Sequence, residues 1–348
     1  LFLLTQQTLL ILEKDYKMAA SEFSHEAESK GFAWFLGILF ALSIIFIIVL
    51  AGYWSIEPKP FDVIAEAKAR QNAQGLDKFP TGYVYANSLV HIAEVLLYKP
   101  GGYLTNDVGV PGLLLDNIPS WEYGALIMLR DGASALRNHL ARAQSQSAED
   151  PDLARAEPYF YYERNSWALP STEAEYEKGI SALHTYMTRL ADSEHKNPGH
   201  FYSRADNLWQ YVEIIIKRLG GISTRLAAST DRYEAYDIQQ EKSAAISQTT
   251  WLKLDDEFWQ ARGSCWALLH ILKAIKWDFR LILEDKRAMD TVEIMIHEME
   301  NALAPITSPV ILNGDGYGIS ANYSLAMASY VSRASAAALD LRDVMNRG

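Results

Sequence analysis

The sequence predicts an all-α protein in which one N-terminal transmembrane helix precedes an antiparallel multi-helix bundle with two long Gly/Pro-rich loops. Residues 31–54 contain no charged side chain. Apolar residues recur at helical spacing through most of the remaining chain, and the alternation typical of strands is nearly absent. Glycine and proline are concentrated in 99–120 and 304–318, where a regular helix cannot continue.

The uncharged run reads GFAWFLGILFALSIIFIIVLAGYW. At a rise of about 1.5 Å per residue, a helix of this length crosses a bilayer core of roughly 30 Å. Trp34, Tyr53 and Trp54 lie near its ends, where aromatic side chains prefer the level of the lipid headgroups. Because a signal peptide has a shorter apolar core, of about 7–15 residues, and a small-residue cleavage site, we expect an uncleaved anchor.

We expect three parts along the chain: an N-terminal tail, 1–30, a transmembrane helix, 31–54, and a soluble helical domain, 55–348. Residues 1–17 begin without methionine, and we expect Met18 to be the native start. Basic residues are balanced on the two sides of the span, so the positive-inside rule does not fix its direction. Since short N-terminal tails usually remain in the cytoplasm, we expect the soluble domain in the periplasm.

The bulk composition is that of an acidic globular domain rather than of a polytopic membrane protein. Of 348 residues, 22% are charged, the formal net charge is −11 and the mean hydropathy is −0.09. An acidic surface repels phosphate backbones, so we expect no nucleic-acid binding. The single cysteine, Cys265, excludes an internal disulfide. It lies on an apolar helical stripe, which favours core packing over a nucleophilic role.

Helical spacing, interrupted by glycine and proline, predicts the order of the helices. The predicted helices are 61–74, 83–98, 121–142, 172–192, 203–219, 251–287, 292–303 and 319–345. Thr172 and Glu175 are expected to form a capping box at the start of the fourth helix. We expect 145–170 to be a further long connection and 227–248 to be an exposed helix or a connector.

Four residues in and beside the first Gly/Pro-rich loop carry side-chain oxygens that a calcium ion would accept: Asn106, Asp107, Asp116 and Asn117. Their spacing does not follow an EF-hand, and Asn or Asp near glycine is an ordinary turn former. We therefore treat the four as candidate binding residues and predict neither a metal nor a cofactor.

A second candidate set is aromatic. Tyr159, Tyr161, Tyr162 and Trp167 lie in the connection 145–170. They could form a docking surface, because Tyr and Trp contribute much of the energy at protein interfaces. They could equally pack the connection onto the bundle, and the sequence leaves both interpretations open.

Catalytic signatures are weak throughout the sequence. Glu293 and His297 are four residues apart on a predicted helix and could place two zinc ligands on one face. No second histidine completes a motif, so a solvated helix face is the favoured interpretation. Nucleophile motifs such as G-x-S-x-G are absent, and we predict no catalytic residue.

Four charged residues lie on the helices that flank the first loop: Glu94, Glu122, Arg130 and Arg137. They could pair with one another or bind a carboxylate ligand, and structural ion pairs are the favoured interpretation.

Several segments resemble a known bacterial family. They are Lys99-Pro100-Gly101-Gly102-Tyr103-Leu104, Leu115-Asp116-Asn117, Ser145-Gln146-Ser147 through Asp150-Pro151-Asp152-Leu153, and Asn165-Ser166-Trp167. They are similar to the family called domain of unknown function 2333, and the resemblance covers most of 54–346. It implies a single-span protein of a Gram-negative inner membrane. It implies no activity and no site residues.

Taken together, these features predict a membrane-anchored helical scaffold or interaction protein of the bacterial cell envelope, with a protein partner and no evident catalysis. One alternative is a periplasmic sensor or small-ligand-binding domain. Another is an envelope enzyme that acts on cell wall or lipid. The sequence predicts no particular oligomeric state.

Overall fold

The computed structural model describes Met18 and residues 34–75, 79–142, 149–192, 194–229, 233–237, 242–246, 249–250, 253–306, 308, 310–314 and 321–347. The chain divides into two units between Tyr53 and Trp54. Helix α1, Trp34–Trp54, is long and apolar enough to cross a membrane, a property that it shares with signal sequences. Apart from Met18, the predicted tail and the first three residues of the predicted span lie outside the described residues.

The second unit is helical, which confirms the predicted all-α fold class. Its helices are α2 (Val63–Gln74), α3 (Tyr83–Tyr98), α4 (Asn117–Ala135), α5 (Leu153–Phe160), α6 (Thr172–Ala191), α7 (Ala205–Ala227), α8 (Leu254–Asp278), α9 (Arg280–Asp285), α10 (Met289–Ala302) and α11 (Tyr323–Asn346). A 3₁₀ turn at Gly112–Leu114 precedes α4, and a π-helical turn at Leu136–Leu140 follows it. Strands β1 (Tyr233–Asp237) and β2 (Lys242–Ile246) form an antiparallel hairpin between α7 and α8.

Helices α4 and α8 pack in close contact. Gly124 on α4 and Gly263 on α8 each face a backbone carbonyl of the other helix, and a Cβ at either position would collide with it. Ser120 near the start of α4 donates a hydrogen bond to Asp256 near the start of α8 (2.9 Å), so the two helices run in the same direction. Their first turns therefore lie at one end of the unit, beside the loop that precedes α4.

Helix α3 packs in the opposite direction and receives its cap from α8. The carboxylate of Asp278 accepts hydrogen bonds from the backbone N–H groups of Gly82 (2.8 Å) and Tyr85 (2.7 Å). These are donors that a helix start otherwise leaves unpaired. Burial raises the pKa of Asp278 to about 7, against the lowering effect of these two bonds. The structure confirms the predicted span of this helix at both ends.

Two predicted features near α5 and α6 are wrong. The connection 145–170 contains helix α5, although Pro158 lies inside it. Its apolar face is buried, and the Phe160 ring packs so closely on α6 that a Cβ at Gly179 would lie 2.9 Å from it. The predicted capping box is absent, because Ser171 caps α6 by accepting from the Ala174 N–H (3.3 Å).

Three other predicted segments also differ from the structure. Helix α7 continues through Gly220–Gly221 to Ala227, because buried residues before and after the glycine pair, Leu219 and Ile222, pack as parts of one face. The predicted helix 251–287 is interrupted at Phe279, where α9 follows α8. The segment 227–248 holds the β-hairpin rather than an exposed helix. Part of the second Gly/Pro-rich loop lies outside the described residues.

Candidate functional site

The base of the first Gly/Pro-rich loop is fixed by a buried carboxylate, Glu122 on α4. It pairs with the Lys99 ammonium, and their side chains are 0% and 2% exposed. It also accepts from the backbone N–H groups of Leu104 and Thr105, each at 2.8 Å, and from the Thr105 hydroxyl at 2.5 Å. Because a buried charge is costly without partners, this arrangement specifies one conformation for residues 99–105.

Asn106 joins this loop to the segment before α6. Its side-chain amide nitrogen donates to the Ser166 carbonyl (2.8 Å) and to the Glu173 carboxylate (2.9 Å). Thr172 strengthens the same junction, since its hydroxyl also donates to the Ser166 carbonyl (3.0 Å). The loop 99–116 and the segment 161–171 are therefore held together side by side.

The other oxygen-bearing candidates have local roles. Asp116 caps α4 by accepting from the N–H of Asn117 (2.9 Å), the first residue of that helix. Asp107 packs against Gly112, and burial followed by the nearby Glu173 charge raises its pKa. In the described part of the chain, no group of three or more His, Cys, Asp or Glu side chains could hold a metal.

Beyond these fixed residues, six side chains form what we call the apolar loop surface. They are more than half exposed: Val108, Val110, Leu113, Leu114, Trp167 and Leu169. The first four follow Asn106 in the loop, and the last two follow Ser166 in the neighbouring segment. Since Asn106 bonds directly to Ser166, the two groups belong to one region of the surface.

Some of the aromatic candidates pack against the helical unit, and others are exposed. Tyr162 is partly buried, and its hydroxyl donates to the Pro170 carbonyl (3.3 Å). Tyr161 is exposed, with the Arg130 guanidinium 5.3 Å from its ring centre. The Lys178 ammonium lies 5.7 Å from the ring centre of Tyr159. Exposed Trp167 lies apart from these cation–π contacts, on the apolar loop surface defined above.

The chain that leads from α1 into the helical unit is anchored at Glu57. Its carboxylate accepts from the Trp121 indole N–H (3.2 Å) and from Nε of buried Arg262 (2.7 Å). Arg262 also donates to the backbone carbonyls of residues 302–304 at 3.0–3.2 Å. Burial raises the pKa of Glu57, and Arg262 opposes this shift. One arginine thus ties the linker to α8 and to the end of α10.

A few residues further along, the linker is fixed again by His270. The backbone N–H of Phe61 donates to His270 Nε2 (2.9 Å), and Nδ1 lies 2.7 Å from the Trp266 carbonyl. The Phe61 ring stacks on the imidazole at 3.8 Å, with an interplanar angle of 5°. Burial lowers the pKa of His270 to about 3. The histidine is therefore neutral, with its proton on Nδ1 and an acceptor facing the linker.

A half-buried polar cluster joins α2, α3 and α6. Arg70 donates to Glu94 (2.7 Å) and to Asn87 (2.6 Å), and it lies 3.2 Å from His184 Nε2. His91 Nδ1 lies 3.5 Å from the Glu94 carboxylate. Burial raises the pKa of Glu94, but hydrogen bonds from the two histidines and the arginine outweigh it and lower the pKa well below its usual value. The cluster has the contacts of a structural ion-pair network.

The four charged residues predicted to pair with one another have other partners. Glu94 pairs with Arg70, and Glu122 pairs with Lys99. Arg130 donates to backbone carbonyls within 160–162, and Arg137 pairs with two glutamates outside the group. Structural ion pairs are therefore confirmed for Glu94, Glu122 and Arg137, but with partners outside the group rather than with one another.

The remaining candidates from the sequence lie in the core or on an exposed helix face. Cys265 is buried, which confirms its place in the core, and burial raises the pKa of its thiol to about 12. Glu293 pairs with Lys276 (2.7 Å) on an exposed helix face that also carries His297.

Comparison with known proteins gives one match. A family model described as "Uncharacterized protein conserved in bacteria (DUF2333)" matches residues 27–348. The chain belongs to this family. The match to DUF2333 extends through α1 as well as the helical unit, and it confirms the resemblance found in the sequence. No curated protein and no solved structure matches this DUF2333 chain.

Sequence reasoning about this DUF2333 protein missed Glu57, Lys99 and His270. The only local feature that distinguishes Glu57 is its position, three residues after the aromatic end of the apolar run. Lys99 pairs with Glu122 on α4, and His270 holds Phe61 of the linker. Both partners are distant in the chain, so neither role has a local signature.

Proposed function

We propose that this DUF2333 protein is a membrane-anchored helical scaffold that acts through protein contacts in the bacterial cell envelope. Helix α1 anchors it in the inner membrane, and the helical unit lies in the periplasm. The observation that carries the proposal is the continuity between α1, whose apolar window is not buried, and the fixed residue Glu57.

The short linker supports a scaffold rather than a freely moving domain. Trp54 ends α1, and Glu57 follows three residues later. An extended chain of three residues spans at most about 10 Å. Because Glu57 bonds to both α4 and α8, only a few residues separate the end of α1 from the packed helices, and no long flexible linker intervenes.

The surface best suited to a protein partner surrounds Tyr161. Tyr and Arg are enriched among the residues that dominate binding energy at interfaces, and here Tyr161 is exposed beside Arg130. Helix α5, which ends at Phe160, is held rigidly because Asp152 at its start accepts from buried Arg189 (2.7 Å). A preorganised surface loses less conformational entropy on binding.

Site-specific photocrosslinking in native membranes tests this proposal. A photoreactive amino acid at Tyr161 is expected to give a discrete protein adduct. The matched control is Leu339 on α11, which is also exposed and is expected to give no such adduct. Absence of an adduct at Tyr161, or identical adducts at both positions, would contradict a partner surface there.

A second candidate, the binding of a small amphipathic ligand, is favoured by one cavity. A groove of about 710 Å³ lies between the start of α2, α8 and α10. Its wall includes the apolar residues Phe61, Ile64, Trp277 and Ile296. Lys273 and Lys276 also line it, but both are paired with glutamates at 2.7 Å. A small molecule retained at this groove in native mass spectrometry would favour this candidate over the scaffold.

A further inference from the structure

The apolar loop surface is unusual for a surface exposed to water. Leu113 and Leu114 are 64% and 69% exposed, and Leu169 is fully exposed. Single exposed apolar residues are common in proteins, whereas contiguous exposed apolar patches mark a binding surface. The loop is also held in place, because Glu122 and Asn106 fix its base. The side chains of the apolar loop surface are therefore exposed in an ordered loop, and we expect an apolar partner to cover them.

The position of this loop in the helical unit identifies that partner. Gly101, in the same loop, lies so close to Trp54 that a Cβ would be 2.8 Å from the indole ring. Trp54 is the aromatic residue that ends the apolar run of α1, and tryptophan at this position favours the headgroup level of a bilayer. The base of the loop therefore lies beside the residue that marks the membrane surface.

A second contact gives the same placement. Glu57, three residues after Trp54, accepts from the indole of Trp121 in the second turn of α4. Residues 108–116 lead directly into the start of that helix. The linker at Glu57 and the base of the loop therefore both contact the second turn of α4.

We propose that the apolar loop surface inserts into the lipid bilayer crossed by α1 and forms a second, peripheral membrane contact. This inference rests on the proposed anchoring by α1. Val108, Val110, Leu113 and Leu114 reach the boundary between headgroups and acyl chains, and Trp167 and Leu169 lie beside them at the headgroup level. The contact gives the helical unit a second attachment to the membrane in addition to α1.

The charges around the surface determine which lipids it selects. Asp107 and Asp116 flank the apolar residues of the loop, so anionic headgroups are not attracted. Lys99 at the loop base is buried against Glu122 and cannot reach a headgroup. The contact is therefore hydrophobic, and we expect little dependence on anionic lipid or on ionic strength.

A fluorescent label at Leu114, compared with one at Leu281, tests the contact. The two leucines are 69% and 71% exposed, and Leu281 lies on α9, beyond the far end of α8. The full chain carrying Leu114→Cys or Leu281→Cys is labelled with an environment-sensitive dye and reconstituted in phosphatidylcholine vesicles. Native Cys265 is buried and does not compete for the dye. Flotation of the vesicles then reports anchoring independently of the label.

Nitroxide-labelled phosphatidylcholine should quench the dye at position 114 at least about twofold more than at position 281, with a blue-shifted emission, because interfacial groups lie about 5–10 Å inside the bilayer. Val110→Cys gives a second position should Leu114→Cys fold poorly, and its dye should be quenched like that at 114. Adding phosphatidylglycerol or salt should leave the difference unchanged.

Three results would overturn the inference. Equal quenching at 114 and 281 in protein that floats would remove the lipid contact and leave the anchoring by α1 intact. A blue-shifted dye at 114 that nitroxide lipids do not quench would mean that protein, and not lipid, covers the loop. Protein that fails to float would overturn this inference and the proposed anchoring together.

Discussion

Glu122→Gln should lower the free energy of unfolding by about 3–5 kcal/mol, because removing one partner leaves the other charge buried and uncompensated. The side chains of Lys99 and Glu122 are almost completely buried, so water cannot replace the lost carboxylate. For a domain of this size the melting temperature should fall by on the order of 10 °C. Denaturant unfolding and a thermal melt of the same protein measure both quantities.

Two controls separate this effect from a general sensitivity to charge. Glu284→Gln removes a carboxylate whose partner Arg280 is exposed like itself and lies 3.9 Å away, and it should change stability little. The double variant Lys99→Met with Glu122→Gln removes both charges and should lose less than the two single variants combined. Additive losses, or a loss at Glu284 as large as at Glu122, would contradict the role given to the pair.

Lowering the pH from 7 to 5 should cost about 2 kcal/mol of stability through His270 alone. Burial lowers the pKa of His270 to about 3 in the folded protein, whereas a free histidine has a pKa of about 6.5. Between these values the unfolded chain binds a proton that the folded chain does not. Stability from this group is therefore complete above about pH 6.5 and is lost as the pH falls towards 3.

His270→Gln tests this expectation, because glutamine can still accept the Phe61 N–H but does not titrate. The variant should be less stable at pH 7, since it loses the stacking on Phe61. Because the raised pKa of Asp278, about 7, adds stability as the pH falls over the same range in both proteins, the test is their difference: from pH 7 to 5 the wild type should lose about 2 kcal/mol relative to the variant. His195→Gln changes an exposed histidine and should keep the wild-type slope. An unchanged slope in His270→Gln would contradict the lowered pKa of this imidazole.

Local sequence could predict the elements that have their own start and stop signals. Helix α3 is bounded by Gly82 and by the turn Lys99–Gly102, and the structure places its ends where the pattern does. The elements that the sequence pattern did not predict form because of tertiary packing. Helix α5 contains Pro158 and has only eight residues, but burial of Phe160 against Gly179 stabilises it.

The candidate site was less accessible to sequence reasoning because its residues act through partners distant in the chain. The loop 99–120 is recognisable from glycine and proline, yet nothing in its sequence indicates that Glu122 fixes its base. The run Leu113-Leu114-Leu115 could belong to a core or to a surface. Only the neighbours of Gly101 and Glu57 show that the base of the loop and the linker lie near Trp54 and Trp121. The docking role of the aromatic residues stays a prediction.

The most direct test of the central claim is the membrane topology of the full chain. A reporter active only in the periplasm and one active only in the cytoplasm are each fused after Gly348, and the membrane and soluble fractions are assayed. We expect the periplasmic reporter alone to be active, with the uncleaved chain in the membrane fraction. Activity of the cytoplasmic reporter, or release of the helical unit in soluble form after cleavage near Tyr53, would contradict a membrane-anchored periplasmic scaffold.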